Sequence, residues 1–242
     1  MDENFIDDNE LINQAKEKRV LILMIVDTAK LMKVKMSEVN SAIENCIKKM
    51  KTLDKEHNIA KVAINILEYN KEAKWKMNNP VEISNYNFTE LKATDYAESQ
   101  YSQFYNELND KLEESKYLKD AHDYHPIILL ISNGQPTDDY FDLLDICEEN
   151  QWFHHATRIA LPIITDKQMT EEKFRTSFYY EAMMDFTGQH ADRIFHVSHI
   201  ADLASMLEIV TMTTIGHKTK IKDENIDDDD PFFDIRQKIW EI

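Results

Sequence analysis

The sequence predicts an α/β fold, with a doubly wound and mainly parallel central sheet that has helices on both faces. Two uninterrupted apolar runs, residues 20–26 and 127–131, are the main basis for this prediction. A strand that is apolar at every position needs cover on both faces, as strands in the middle of parallel sheets have. Segments of helical periodicity separate the two runs, so strands and helices alternate along the chain. We therefore expect the two runs to form adjacent, buried strands.

Periodicity and turn signals predict the other elements. Apolar residues at helical spacing indicate helices over residues 35–52, 97–112, 140–150, 171–186 and 200–210. Shorter runs of strand-forming residues indicate strands over residues 62–69, 73–77, 157–164 and 193–197. The first two of these strands flank a tight turn and should form a hairpin at a sheet edge. Residues 78–95 have the composition of a loop with a short strand or turn near 81–83, and Thr94 or Asp95 is expected to cap the helix that follows.

The composition fits one large α/β domain. The chain has 242 residues, of which 43% are hydrophobic, and its net charge of −17 argues against a nucleic-acid groove. Cys46 and Cys147 are too few for a disulfide scaffold and are expected to be buried free thiols, as in a reducing cytoplasm. The N-terminus is acidic where a signal peptide is basic, and no apolar run reaches about 18 residues. We expect a cytoplasmic protein without a membrane span.

The residue types that several enzyme classes require are missing. The three glycines, Gly134, Gly188 and Gly216, are too far apart to form a Walker loop or a dinucleotide-binding fingerprint. Ser132 lacks the G-x-S-x-G frame of a hydrolase nucleophile. Histidine pairs at residues 154–155 and 196–199 have no further ligand at a zinc-like interval, so they are expected to be ordinary surface or core residues. We therefore expect neither an enzyme nor a zinc site.

The two ends of the chain differ from the domain between them. Residues 1–18 form an acidic arm, residues 19–216 the domain, and residues 217–242 an acidic tail that ends in an aromatic segment. Phe232, Phe233 and Trp240 are large apolar groups in this tail. Two interpretations remain open at this point: the segment packs back on its own domain, or it docks as a linear motif into a partner's groove.

Polar residues follow both buried strands, at the sheet edge where open α/β proteins bind their ligands. The three motifs are MIVDTAKLM after the first buried strand, ELKATDYAES before a helix, and IILLISNGQPTDDY across the second buried strand. Together they resemble the three loops of a von Willebrand factor A (vWA) domain, over about residues 19–212. The NGQPTDDY turn is similar to that of the tellurium-resistance Y-like group of bacterial cytoplasmic A domains.

The resemblance implies a Mg²⁺ site, which in the family is built from Asp-x-Ser-x-Ser, a Thr and an Asp. Here Asp27 matches the first Asp, but Ala29 and Leu31 replace the two serines. Thr94 is the match expected for the Thr, and Asn133 replaces the last Asp. Because three oxygen ligands are lost or weakened, we predict a degenerate metal site and no cofactor. The alternative is a Mg²⁺-dependent adhesion or chelatase-associated domain in which Asp95, Asp138 or Asp139 act as surrogate ligands.

We expect the function to be non-enzymatic binding of a protein partner through the loops at this edge. The residues expected to take part are Asp27, Thr28, Ala29, Lys30, Leu31, Thr94, Asp95, Asn133, Asp138 and Asp139. Asp138 and Asp139 have an alternative role as N-terminal charges of the helix that follows them. The converging loops are expected to present the acidic side chains of Asp27, Asp95, Asp138 and Asp139 beside Lys30, and such an acidic cluster favours a partner surface that carries Lys or Arg. The resemblance further implies a bacterial stress or phage-defence setting, with kinase- or phosphatase-like proteins as partners.

Overall fold

The structure, a computed structural model, describes residues 19–57, 61–114, 118, 125–133, 135–164, 171–197, 199–220, 235 and 238. The acidic arm at residues 1–18 lies outside the described residues, and so do Phe232, Phe233 and Trp240 of the tail. Among the described residues, no helix is both long enough and apolar enough to cross a bilayer.

The central sheet has six strands, with β1 in the middle. Four strands are parallel: β1 (Arg19–Asp27), β2 (Lys61–Tyr69), β5 (Ile127–Ser132) and β6 (Thr157–Pro162). Two short strands, β3 (Ala73–Trp75) and β4 (Val81–Glu82), pair antiparallel with β2. The strand order is β3-β2-β1-β5-β6, and Ile22 of β1 pairs with Ile127 of β5. The predicted adjacency of the two apolar runs is therefore confirmed, as are the mainly parallel sheet and the edge hairpin.

Helices cover both faces of the sheet. They are α1 (Met36–His57), α2 (Tyr101–Glu114), α3 (Phe141–Glu149), α4 (Gln151–His154), α5 (Glu171–Arg175), α6 (Phe178–Phe186) and α7 (Leu203–Lys220). Alternate residues of β1 enter two separate cores: Ile22 and Met24 pack in the core that holds α1 and α7, and Leu21 and Leu23 pack in the core of α2, α3 and α6. Because both faces are covered, every residue of this strand after the first is buried.

Three predicted elements differ from the observed ones. The helix expected over residues 97–112 begins only at Tyr101, because residues 94–100 run along the sheet edge as an extended loop. The helical stretch at 171–186 is two helices, interrupted where Ser177 Oγ donates to the carbonyl of Phe174 at 2.6 Å. The strand expected over residues 193–197 forms only isolated bridges, from Ile194 to Ala160 of β6 and from Val197 to Ile163 just after it. A 3-10 turn immediately before it leaves too short an extended segment for a full ladder.

The two cysteines are free and buried, as predicted. Cys46 lies in α1 and its thiol points at the carbonyl of Leu207 in α7, 3.9 Å away. Burial raises the pKa of Cys46 to about 12, so its thiol stays protonated at neutral pH. These side chains therefore pack as small apolar groups between helices and strands.

Candidate functional site

Three loops meet at the carboxyl edge of the sheet, around the end of β1. The amide of Thr28 donates to the carbonyl of Tyr69 at 2.7 Å, and the amide of Thr94 donates to the carbonyl of Thr28 at 2.8 Å. Further along, the amide of Thr137 donates to the carbonyl of Ser99 at 3.0 Å. Backbone hydrogen bonds thus join the loop after β1, the loop before α2 and the loop after β5, which is the convergence that the sequence predicts for these motifs.

The carboxylate of Asp27 lies at the centre of this edge and is fully buried. Its Oδ1 accepts a hydrogen bond from the amide of Ala29 at 2.8 Å. Its Oδ2 accepts from the hydroxyls of Ser99 at 3.0 Å and Ser132 at 3.2 Å. Both carboxylate oxygens are therefore satisfied by hydrogen-bond donors from three separate segments of the chain itself.

Two tyrosines extend this network beneath the edge. Tyr69 donates from its hydroxyl to Ser132 Oγ at 2.9 Å, and the hydroxyl of Tyr101 lies 3.3 Å from the same oxygen. Because Ser132 gives its only hydroxyl proton to Asp27, the hydroxyl of Tyr101 must be the donor in the second contact. Burial raises the pKa of both tyrosines well above the ordinary value, so both remain protonated donors. The result is a buried network in which both tyrosine hydroxyls donate to Ser132 and the hydroxyl of Ser132 donates to Asp27.

The environment of Asp27 opposes its ionisation. Burial raises its pKa from 3.8 to about 6, and hydrogen bonds from Ala29, Ser99 and Ser132, with the backbone of Asn133, offset only part of that effect. No salt bridge of the described residues includes this carboxylate. At neutral pH Asp27 is therefore mostly a buried anion held by hydroxyl and amide dipoles.

The hydroxyl-bearing residue of the second loop that contacts Asp27 is Ser99, which the sequence did not single out. Thr94 Oγ1 instead donates to the carbonyl of Thr28 at 3.2 Å. The sequence prediction started α2 too early, which placed Ser99 inside the helix and left Thr94 as the nearest hydroxyl before it. A later helix start, at the aromatic-rich stretch from Tyr101, would have indicated Ser99 as the last small hydroxyl residue before the helix.

The carboxylate of Asp138 contacts the start of α2, a helix that precedes it in the chain. Its Oδ1 accepts from the amide of Tyr101 at 2.8 Å and its Oδ2 from the amide of Ser102 at 3.0 Å. It therefore caps the N-terminus of α2, where carboxylates satisfy amides that have no helical partner. Asp139 is exposed and accepts from the amide of Phe141 at 3.3 Å, which fits the predicted N-terminal charge of α3.

Of the four carboxylates predicted to cluster at this edge, one is buried and two are bound by other groups of the protein. Asp27 is buried, Asp138 is used as a helix cap, and Asp95 pairs with Lys33 at 3.0 Å. Thr28 and Ala29, which were expected to contact a partner, are also buried beneath the loops. From the first loop, the residues that are exposed to solvent are Lys30, Leu31, Lys33 and Val34, whereas Met32 is buried.

Asn133 occupies the third-loop position and is 7% exposed. Its Oδ1 accepts from the amide of Gln135 at 2.9 Å, which closes a local turn. Its Nδ2 has no hydrogen-bond partner in the described part of the chain. The side chain thus offers a neutral amide oxygen that already accepts a hydrogen bond, where the family has a charged carboxylate.

The residues at this edge do not fit a Mg²⁺ ion. Mg²⁺ requires close to octahedral oxygen coordination, and the side chains of Ala29 and Leu31 have no oxygen. Both oxygens of Asp27 and both of Asp138 already accept hydrogen bonds from the protein. Across the described ranges, no group of three or more His, Cys, Asp or Glu side chains is arranged to hold a metal. Absence of metal binding stays a prediction, which we test below.

Solved structures show the same fold. The pilus adhesin SpaC from Lactobacillus rhamnosus GG matches with a TM-score of 0.60 at 12% identity, over 86% of this chain and 31% of that one. Proximal thread matrix protein 1 from the mussel byssus matches with a TM-score of 0.57 at 8% identity, over 80% of this chain and 47% of that one. The ArnB paralog VWA2 from Sulfolobus acidocaldarius matches with a TM-score of 0.51 at 14% identity, over 79% of this chain and 45% of that one.

These neighbours are vWA domain proteins, and this chain has the vWA fold. It spans less than half the length of each of them. A further structure of the mussel protein has a zinc-occupied metal-ion-dependent adhesion site (MIDAS) motif. No family model matches the sequence, and no curated protein matches it.

Proposed function

We propose that this chain is a non-enzymatic protein-interaction module that binds a partner through the exposed parts of the loops at the carboxyl edge, without a metal ion. The observation that carries the proposal is the saturated carboxylate of Asp27, which is buried and accepts hydrogen bonds from Ala29, Ser99 and Ser132. Both oxygens of the Asp27 carboxylate accept hydrogen bonds from the protein itself, which disfavours a role for this side chain in binding a metal or a substrate or in moving a proton. What remains for recognition is the outer surface of the loops.

The fold supports a binding role by analogy. A pilus adhesin is among the structures that share it, and adhesion is binding of a partner. Because fold alone does not establish function, this analogy adds to the proposal and does not carry it. The similarity of NGQPTDDY to the tellurium-resistance Y-like group is the basis for the finer part of the proposal. That part is a bacterial stress or phage-defence setting with a kinase- or phosphatase-like partner.

Site-specific crosslinking in the native cells tests the proposal. A photo-crosslinking amino acid placed at Leu31, in the first loop, should trap a discrete protein adduct. The same substitution at Ile146 is a matched control, because the two side chains are 46% and 47% exposed and Ile146 lies on α3. An adduct at Ile146 with none at Leu31 would place the interface elsewhere and contradict the proposed site. No adduct at either position would count against the interaction role itself.

Metal titration tests the absence of an ion. Millimolar Mg²⁺, Mn²⁺ or Zn²⁺ should leave the melting temperature unchanged from that in EDTA, because an ion that does not bind the native state cannot stabilise it. The triple variant Ala29→Ser/Leu31→Ser/Asn133→Asp restores the missing oxygen ligands and is the positive comparison. Stoichiometric binding of Mg²⁺ to the unaltered protein by calorimetry, lost in Asp27→Ala, would contradict this prediction.

A further inference from the structure

Exposed apolar side chains are concentrated at the first of the three loops. Six large hydrophobic residues stand out as exposed in the described part of the chain, and three of them lie at this edge: Leu31 at 46%, Val34 at 74% and Tyr96 at 46%. The amide of Lys30 donates to the carbonyl of Tyr96 at 2.7 Å, which holds the two loops together. Single exposed apolar residues are ordinary, but a group of them is typical of an interaction site.

Lysines surround these apolar side chains. Lys71 Nζ lies 4.3 Å from the centroid of the Tyr96 ring, and Lys33 Nζ lies 3.0 Å from Asp95 Oδ1. The hydrogen bond and charge of Lys33, with a smaller effect of Lys30, lower the pKa of Asp95. The backbone contact between Lys30 and Tyr96 and the side-chain contacts of Lys33 and Lys71 thus bring these segments next to one another at the sheet edge. We call this part of the edge the first-loop surface, and define it as Lys30, Leu31, Lys33, Val34, Lys71 and Tyr96.

The first-loop surface is positive on a strongly negative protein. Between Thr28 and Ser37 the sequence has three lysines and no acidic residue, whereas the whole chain has a net charge of −17. Asp95 neutralises only one of these lysines, and Lys30 and Lys71 take part in no salt bridge within the described ranges. The segment that follows β1 is thus basic, although the sequence predicted an acidic edge.

We propose that the first-loop surface binds an acidic segment of a partner protein that carries at least one large apolar side chain. This inference rests on the proposed function and names the chemistry of the partner. Carboxylates of the segment pair with Lys30 and Lys71, while its apolar side chain packs on Leu31, Val34 and Tyr96. Such a combination of an apolar centre with a charged rim is typical of protein interfaces.

A protein segment fits this surface better than a polyanion does. Nucleic acids and anionic membranes present negative charge over a wide area, and the remaining surface of a protein with a charge of −17 repels them. A short acidic segment contacts the lysines of the patch without reaching the acidic surface around it. The exposed apolar side chains of this surface also do not contribute to binding a phosphate backbone.

Selection from a library of random short peptides displayed on phage, against the full-length protein at low salt, tests the inference. The enriched peptides should combine Asp or Glu with Phe, Trp, Leu or Tyr. Their affinity, measured by fluorescence anisotropy on synthetic copies, should fall when salt is added, because charge pairs at an exposed rim are screened. It should fall by at least about tenfold in Lys30→Glu/Lys71→Glu and in Leu31→Ser/Val34→Ser.

Matched variants control for net charge and for lost apolar surface. Lys48→Glu/Lys49→Glu makes the same charge change on exposed residues of α1, about 18 Å along the helix from its start. Phe141→Ser/Ile146→Ser removes equally exposed apolar groups from α3. Both should change the affinity by less than about twofold. Melting curves of all four variants identify any loss of binding that follows from unfolding.

Several outcomes overturn the inference. These are enrichment of neutral or basic peptides, no enrichment at all, or affinity that the first-loop substitutions leave unchanged. Binding to phosphatidylserine vesicles that Lys30→Glu/Lys71→Glu abolishes would identify a membrane surface instead, and concentration-dependent dimerisation with the same sensitivity would identify a second copy of this chain. If peptides bind but only substitutions near Asp139 weaken that binding, this inference fails and the proposed function stands. If no loop substitution affects any ligand, both fail.

Discussion

Asp27 is a buried carboxylate for which the described residues supply hydrogen-bond donors but no cation. Burial raises its pKa to about 6, above the ordinary value of 3.8. A carboxyl group whose pKa is raised in the folded state contributes stability below its unfolded pKa. That contribution is lost as pH rises through the folded pKa, because the folded state then holds an unfavourable buried charge. The window in which stability changes therefore runs from about pH 4 to about pH 6.

We expect the stability of Asp27→Asn, measured relative to that of the wild type, to be greater at neutral pH than at acid pH. The amide keeps the shape of the carboxylate and an acceptor for the amide of Ala29, but it carries no charge. The difference in unfolding free energy between variant and wild type should shift in favour of the variant by about 2 kcal/mol between pH 4.5 and pH 7.5. Urea denaturation at the two pH values measures this shift. Asp139→Asn, at an exposed carboxylate, should show no such change, and an equal shift there would contradict the explanation.

Gly188 is required by its backbone conformation and by a buried arginine. Its φ is +69°, and a Cβ at this position would lie 2.4 Å from Arg158 Nη2. The guanidinium of Arg158 pairs with Glu148 and lies 4.3 Å from the ring centroid of Phe153, so it has little room to move. Both the turn and the ion pair depend on the absence of a side chain here.

We expect Gly188→Ala to lower the free energy of unfolding by about 2 to 4 kcal/mol, since it adds left-handed strain and displaces a buried ion-pair partner. Gly216→Ala is the matched control, because Gly216 lies in α7 and no atom is within 4 Å of its added Cβ. That variant should be as stable as wild type or more stable by up to about 1 kcal/mol. Thermal unfolding of both variants checks the contrast, and equal effects would refute it.

At the scale of elements, α2 begins where a side chain from another loop caps it. Asp138 lies in the loop after β5, and its two oxygens accept from the first two amides of α2. The cap links the loop of β5 to the helix that follows the second loop. The carboxylate of Asp138 therefore sets the start of α2 and the position of Ser99 just before it. The hydrogen bond that the Ser99 hydroxyl donates to Asp27 depends on the same carboxylate.

We expect Asp138→Ala to destabilise the protein by about 1 to 2 kcal/mol, the usual cost of losing an N-terminal cap. Asp138→Asn, which keeps one acceptor oxygen, should recover part of this loss. Asp139→Ala removes the neighbouring, exposed carboxylate and should change stability by less than about 0.5 kcal/mol. Denaturation by urea gives the three values. A cost as large at Asp139 as at Asp138 would contradict the assigned cap.

At the scale of the whole molecule, a residue of the C-terminal tail completes one of the two cores. Ile235 is fully buried and belongs to the core that holds α1 and α7. Near it, Lys238 Nζ approaches the hydroxyl of Thr213 in α7 to 3.5 Å. Of the two interpretations of the tail, packing on its own domain is therefore supported for Ile235. Phe232, Phe233 and Trp240 lie outside the described residues.

We expect Ile235→Ala to cost about 2 to 4 kcal/mol, because it removes buried methyl groups and leaves a cavity between helices. Lys238→Ala, three residues further on at an exposed position, is the control and should be close to neutral. Differential scanning calorimetry of the full chain compares them. A stability unchanged by Ile235→Ala would show that this part of the tail does not pack in solution.

The sequence by itself determined the sheet and predicted a degenerate metal site. Residues 20–26 and 127–131 are apolar at every position, which only a strand covered on both faces accommodates. The sequence also places Asp27 at the carboxyl edge and shows that Ala29 and Leu31 have no side-chain oxygen. Each of these observations depends only on a short, local pattern. Helix starts were less readable, since propensity does not specify a first residue.

Only the tertiary structure decided what each polar side chain at the edge binds. Asp27 contacts Ser99 and Ser132, which are 72 and 105 residues away in sequence, and Asp138 caps a helix 37 residues before it. No local pattern encodes such contacts, because they depend on how loops from different strands approach one another. For the same reason the sequence predicted an acidic edge. Asp27 is buried, Asp138 caps a helix and Asp95 pairs with Lys33, so the exposed charges of the edge include the lysines of the first-loop surface as well as Asp139.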